Sequence, residues 1–234
     1  MIRTKTALVT LFSLIFTLAT LSNSLVLGQD TSLKPGINKS YENPDVEKRV
    51  KQFEGESREI SQKRKEIVKT CQLKPGLDVA DIGAGTGLFT RLFAKQVQPE
   101  GTVQAVDISD KFIEHILKTS KEQGLKNVKC IVCAQDSTNL PPNSVDLAFI
   151  CDVYHHLEFP YKTMATVHKA LRPGGRLVVV DFKKIPGVTK QWIMDHVRCD
   201  QKETTEEIVK AGFELVDTVD IMEEQFVLRF KKKS

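Results

Sequence analysis

A chain of 234 residues is long enough for one domain with a substantial core and short for two. Its 41% apolar and 27% charged residues are those of a soluble globular protein. The net charge of +4 comes from lysines and arginines mixed with acids, which excludes a nucleic-acid-binding stripe, and five cysteines without paired CxxC spacing exclude a zinc framework.

Arg3 and Lys5 precede an apolar run from Ala7 to Ala19, and Val26 and Gly28 suit the −3 and −1 positions of a signal-peptidase site. Residues 1–28 therefore read as a signal peptide cleaved before Gln29, with export to a periplasmic or secreted location. The alternative is an uncleaved membrane anchor, since no charge falls between Lys5 and Asp30 and a span needs about 20 residues. Both place the domain outside, and the second gives membrane contact through this segment alone. Residues 29–44 carry Gly, Pro, Asn and Ser without an apolar period and read as a linker. The domain follows over residues 45–234.

Asp45 to Phe53 predicts a short helix, and Ser57 to Thr70 a second with an incomplete apolar face. A strong alternation then begins. Strands are expected at Leu77 to Ile82, Val103 to Val106, Val128 to Cys133, Val145 to Cys151 and Arg176 to Phe182. Helices are expected at Leu88 to Val97, Lys111 to Gln123, Tyr161 to Leu171 and Glu203 to Ala211. The pattern argues for an α/β fold, a parallel sheet covered on both faces. The last strands, Phe213 to Val219 and Gln225 to Phe230, have no helix between them and should form an antiparallel hairpin. The Lys231-Lys232-Lys233 run reads as a solvated tail.

The sharpest signal is Asp81-Ile82-Gly83-Ala84-Gly85-Thr86-Gly87, where the first strand turns into the first helix. Glycines there let the backbone turn tightly and approach a ligand. The spacing departs from the dinucleotide GxGxxG, because Leu occupies position 88. Asp81, two residues before the loop, would repel a pyrophosphate and suits a ligand with an ammonium group. Asp107 ends the second strand, where a carboxylate can bond ribose hydroxyls, and Asp136 lies just past the third. Three acids at successive strand ends point into one crevice.

DIGAGTG, VDIS, AQDS, SVDLAFICDVYHHLE and ALRPGGRLVVVDF follow the order and spacing of class I S-adenosylmethionine (SAM) dependent methyltransferases. The chain most resembles their small-molecule branch, which includes the ubiquinone/menaquinone-biosynthesis type. The resemblance covers most of the domain. It implies a Rossmann-like seven-stranded sheet of order 3-2-1-4-5-7-6, with strand 7 antiparallel, and SAM over the ends of strands 1 to 4. On matching positions, Asp81, Gly83, Ala84, Gly85 and Gly87 would hold the methionine part. Asp107 would hold the ribose, Ile108 would flank the adenine, and Asp136 and Ser137 would meet its edge. Asp152 and Val153 would border SAM, while Tyr154 and His155 would face the acceptor.

His155 near the methyl group could take the acceptor's proton, or the histidines could only orient SAM. Two adjacent histidines also suggest a metal site, but no third ligand has suitable spacing, so no metal is expected. Arg58 could reach the SAM carboxylate or sit on a helix surface. His196 could be a second polar group toward the acceptor, and Trp192 reads as lid packing. Cys151 and Cys199 could share the crevice as a soft pair for a thiol or metalloid acceptor, or be buried and inert. The expected partner is a small-molecule acceptor, with no nucleic acid. The competing classes are a binding protein that lost catalysis, a nicotinamide-dependent oxidoreductase, and a transferase acting on a lipid or protein.

Overall fold

The central strands are apolar on both sides, as strands between two helical layers must be. In the computed structural model, which describes residues 29–234, β1 (Val79–Ile82) and β2 (Val103–Asp107) are buried at every position. Four short helices precede them: α1 (Lys39–Glu42), α2 (Val46–Phe53), α3 (Glu59–Gln62) and α4 (Arg64–Thr70). Helix α5 (Leu88–Val97) follows β1, and α6 (Asp110–Glu122) links β2 to β3 (Val128–Val132). The second half runs β4 (Val145–Cys151), a 3₁₀ turn over Tyr154–His156, α7 (Pro160–Ala170) and β5 (Leu171–Phe182). It continues with α8 (Gln191–His196), α9 (Gln201–Lys210), β6 (Phe213–Val219) and β7 (Gln225–Lys232). No described helix is long and apolar enough to cross a membrane. The signal or anchor reading of residues 1–28 lies outside the described residues.

The strands form one sheet of order β3-β2-β1-β4-β5-β7-β6. β1 to β5 pair in parallel, and β7 is antiparallel to both β5 and β6. The chain steps outward through β2 and β3, then returns to place β4 on the other side of β1. That reversal opens a crevice at the carboxyl ends of β1 and β4.

Side chains alternate across the sheet. Leu147 and Phe149 face one core with Ile67, Phe93 and Val180, while Ala148 and Ile150 face another with Met164, Ile208 and Phe213. Phe149 lies 4.9 Å, centroid to centroid, from both Phe89 and Phe93. Such aromatic contacts add about 0.5–1.5 kcal/mol per pair beyond the area they bury.

The structure corrects the sequence reading in three places. Residues 29–44 are not a free linker. Gln29 Nε2 donates to Glu158 O at 2.9 Å, Leu33 N to the same carbonyl at 2.9 Å, and Asn38 Nδ2 to Gln135 Oε1 at 2.8 Å. The segment is laid down by polar contacts, to which a search for apolar periodicity is blind. The helix expected from Ser57 to Thr70 is broken at Lys63, where ψ turns to 8°. β5 starts at Leu171, because Pro173-Gly174-Gly175 forms an irregularity within the strand and not its beginning.

The amino end of the sheet is clamped. Arg172 donates from Nη1 to Asp146 Oδ2 and from Nη2 to Asp78 Oδ2, both at 2.8 Å. Asp146 Oδ2 also accepts the Asp78 amide at 2.8 Å, and Asp78 Oδ1 accepts Thr102 Oγ1 at 2.6 Å. Burial alone would raise the Asp78 carboxyl, but the hydrogen bonds from Thr102 and Arg172 hold it below its ordinary value. A depressed carboxyl contributes stability above its unfolded value of 3.8 and loses it as pH falls through the folded value. Asp78→Asn should therefore cost about 1–3 kcal/mol at neutral pH, read by urea unfolding. The gap from the parent should close in acid; a gap independent of pH would remove the charge from the explanation.

Candidate active site

The crevice begins where β1 runs out. Gly83 has φ +69°, and a Cβ on it would lie 2.5 Å from both methyls of Val153, beyond the end of β4. Only glycine lets these two strand ends approach so closely. Ala84, Gly85 and Thr86 continue the rim. Gly87 does not face the crevice. It caps α5 at φ +81°, and a Cβ there would meet Ile116 of α6 at 2.8 Å. Its role is to start the helix, which corrects its assignment as a ligand contact.

Two acids stand where they are expected. Asp81 is 3% exposed and accepts Thr90 Oγ1 at 2.5 Å. Burial pushes its carboxyl up to about 6, and the neighbouring Asp107 adds to the rise. Asp107 Oδ2 accepts the Gly85 amide at 2.8 Å and Oδ1 accepts the Ser109 amide at 2.9 Å. Burial raises this carboxyl too, against the pull of those amides. Each oxygen keeps a lone pair for a ligand hydroxyl. Ile108 and Ser137 line the crevice beside it.

Asp136 does not. Its side chain is 44% exposed and lies 3.6 Å from Lys162 Nζ. Ala134 N donates to Ser137 O at 3.1 Å, closing a tight turn that turns Gln135 and Ser137 inward and leaves Asp136 at the tip. Gln135 occupies the inward position that the sequence reading gave to Asp136.

Asp152 sits just past β4 at φ +50°. Arg58 Nη2 pairs with its Oδ2, and the Arg58 guanidinium lies 5.2 Å from the Phe53 ring centre. Burial raises this carboxyl against the pull of Arg58. Oδ1 is buried without a hydrogen-bond partner among the described residues. A buried, unpartnered carboxylate oxygen on a crevice wall calls for a donor from a ligand. The SAM ammonium is such a donor, so the glycine rim and these acids fit the cofactor.

A 3₁₀ turn spaces successive side chains by about 120°, and here Tyr154 leaves the crevice while His155 and His156, with ring centres 4.3 Å apart, both line it. Tyr154 is fully buried on the far face of the sheet, with Oη 3.0 Å from Glu207 Oε2. It cannot face an acceptor, which corrects both roles expected of it. His155 lines the crevice, with Nδ1 2.7 Å from Asp181 Oδ1. Asp181, at the end of β5, also accepts the amides of His155 at 3.0 Å and Phe182 at 2.8 Å. Sequence reading missed Asp181, although it closes another strand in the same row as Asp81 and Asp107.

His156 lies edge-on to Tyr41 at 5.0 Å, and its Nε2 is 3.3 Å from His196 Nε2. Burial lowers His156 to about 2 and lowers His196 as well. The third histidine thus comes from α8, absent from the sequence reading, and overturns the argument that no third ligand exists for a metal. Cys151 lines the crevice, but Cys199 packs in the core of the other face with Sγ 3.3 Å from Thr204 Oγ1. The two do not form a soft pair. Burial raises both thiols, Cys199 to about 12.

Gly83→Ala should force the strand ends apart, at about 1–3 kcal/mol for overpacking plus about 1–2 kcal/mol for the left-handed backbone. Adding Val153→Ala should restore the overpacking part in denaturant unfolding. No recovery in the double variant would show that the contact with Val153 is not what requires glycine.

The family model for a methyltransferase domain matches residues 73–226. A ubiquinone/menaquinone biosynthesis C-methyltransferase of Hydrogenovibrio crunogenus is 27% identical over 123 residues, 52% of this chain and 48% of that protein. Its counterpart in Cupriavidus necator is 30% identical over 48% of this chain and 46% of that protein. The chain thus spans about half the length of these curated relatives. A SAM-dependent methyltransferase from Aquifex aeolicus superposes with a TM-score of 0.72 at 24% identity, covering 81% of this chain and 100% of that one. The [4+2]-cyclase SpnF superposes at 0.65 and 17% identity, over 74% and 80% of the two chains, so the fold alone does not fix the chemistry. With its matched residues, strand order and acid-lined crevice, the chain belongs to the methyltransferase-domain family of class I SAM-dependent enzymes.

Proposed function

We propose that the protein transfers the methyl group of SAM to a small apolar or aromatic molecule held beside His155. The observation that carries this reading is one continuous crevice lined by Asp81, Asp107, Asp152 and His155, with Asp181 held against His155. Asp81 and the unpartnered Asp152 Oδ1 would receive the methionine ammonium, Asp107 the ribose hydroxyls, and Ile108 and Ser137 the adenine. Arg58 is engaged with Asp152 and positions that carboxylate. When bound, SAM supplies a methyl already activated by its sulfonium.

The chain therefore needs chiefly to align the acceptor, which can contribute about 7–11 kcal/mol. Asp181 fixes the His155 ring so that Nδ1–H donates to it, leaving Nε2 free to receive the acceptor's proton. The buried Asp181 would then stabilise the imidazolium. Phe182, Leu157, Trp192 and His196 wall the acceptor end. Aromatic walls, together with relatives named for quinone C-methylation, make a phenolic or quinol-like ring the first acceptor to screen.

Calorimetry should show micromolar or tighter binding of S-adenosylhomocysteine, about −8 kcal/mol or better. Asp107→Asn should weaken it roughly tenfold to a hundredfold, as for loss of a hydrogen bond to a charged group. With labelled SAM and an acceptor found by screening, His155→Ala should slow turnover about 10²–10⁴-fold with little change in cofactor affinity. A folded protein that binds no S-adenosylhomocysteine would leave only the reading of a pocket without catalysis.

A lipid acceptor is favoured by one observation. Ile185, Val188 and Trp192 are 45%, 77% and 55% exposed within one short stretch, and Trp192 also lines the crevice. Exposed apolar groups on a stretch that reaches a pocket suit a bilayer surface. Trp192 is the single tryptophan of the chain, so its emission should shift to the blue on adding anionic phospholipid vesicles. Emission unchanged by vesicles would confine the acceptor to the aqueous phase.

A further inference from the structure

We propose that His155, His156 and His196 form a site for a divalent transition-metal ion, zinc first, at the acceptor end of the crevice. One ring nitrogen from each lies within 4.8 Å of the others. The Nε2 atoms of His156 and His196 are 3.3 Å apart. Nitrogens bound to zinc at about 2.0–2.1 Å in a tetrahedral arrangement stand roughly 3.3–3.4 Å apart. This pair is therefore already at the spacing of two ligands on one ion, and bringing in His155 takes a ring shift on the order of 1 Å.

For His155 the surroundings are those a metal-bound histidine needs, whereas His156 Nδ1 is buried without a hydrogen-bond partner among the described residues. Asp181 Oδ1 takes the His155 Nδ1 hydrogen, so Nε2 carries the lone pair. Metal-bound histidines commonly have such a carboxylate, which sets the tautomer and raises the basicity of the ligating nitrogen. The carboxylate is itself fixed by the backbone amides of His155 and Phe182. His196 is held from the opposite side, because Lys34 Nζ donates to its carbonyl and to that of Asp195. An all-imidazole set selects zinc, copper, nickel or iron over magnesium and calcium. Three nitrogens facing a crevice leave a fourth position open, the pattern of catalytic and not structural zinc.

The use of the ion rests on the methyl-transfer reading; its binding does not. The acceptor's hydroxyl or thiol would occupy the open position and lose its proton to water. Its lone pair then forms the new bond to the methyl carbon, and the sulfur–methyl electron pair returns to the sulfonium, leaving a neutral thioether. His155 then serves as ligand, and the ion takes over the ionisation of the acceptor.

The test uses the full-length protein, stripped with a chelator and titrated with Zn²⁺ by calorimetry and with Co²⁺ by visible absorption. S-adenosylhomocysteine is titrated into the same samples. The expected result is one zinc bound at micromolar affinity or better, with the intense visible bands of four-coordinate cobalt. His196→Ala should abolish both while keeping S-adenosylhomocysteine binding. Asp181→Asn should weaken zinc about 10–100-fold. If His196→Ala does not fold, His196→Phe makes the same comparison. A protein that binds S-adenosylhomocysteine but not zinc, or zinc binding that the His196 variant leaves unchanged, overturns the site. Zinc bound through His196 without S-adenosylhomocysteine binding upholds the site and overturns the transferase reading instead.

Discussion

Four carboxylates are buried at one end of a single sheet, and the surrounding structure is arranged to keep them there. Asp81, Asp107, Asp152 and Asp181 close β1, β2, β4 and β5, and each lies against the crevice or its histidines. Burying a carboxylate costs several kcal/mol unless it is paired or hydrogen-bonded. Each has its own remedy. Asp81 takes the Thr90 hydroxyl, Asp107 two backbone amides, Asp152 the Arg58 guanidinium, and Asp181 two amides and an imidazole. The remedies are incomplete. Burial raises Asp81 and Asp152, and Asp107 and Asp181 add to the rise. A cationic ligand would relieve that repulsion, and Asp152 Oδ1 is a buried oxygen without a partner among the described residues.

The other end of the sheet shows what the same residue types do without a ligand to serve. Asp78 and Asp146 are joined by Arg172, and their oxygens also accept the Thr102 hydroxyl and the Asp78 amide. Opposite charges there meet in direct geometry and hold β1, β4 and β5 in register. The carboxyl end is built differently. Asp152 is held at positive φ, and Gly83 stands where no side chain fits.

The fold was legible because its signals are local. Buried strands read as apolar runs, and their alternation with helices leaves few topologies. Asp81 and Asp107 were legible for a related reason: a residue at the end of a parallel strand is aimed by the strand itself. Errors gathered where a turn does the aiming. In Tyr154–His156, one 3₁₀ turn sends a tyrosine into the far core and a histidine into the crevice, and no periodicity distinguishes them. The turn closed between Ala134 and Ser137 likewise exchanges Gln135 for Asp136. His196 was placed near the acceptor without its partners, since its approach to His156 depends on where α8 packs.

That packing separates two mechanical roles. The floor of the crevice is made of strand ends whose hydrogen bonds are shared across the sheet. The roof comes from two distant stretches, residues 29–53 and the connection leading into α8. The first is tied down by several polar contacts, from Gln29, Ser32 and Leu33 to Glu158 and from Asn38 to Gln135 and the His156 carbonyl, and Lys34 joins it to the carbonyls of Asp195 and His196; the second also packs Ile193 and Val197 against Phe182. Arg49 over the Tyr41 ring and Tyr41 against His156 add stacking without a continuous core. Contacts of this kind each contribute about 1 kcal/mol. His156 and His196 therefore meet where these stretches converge on the turn after β4, while Asp81 and Asp107 are aimed by the strands themselves.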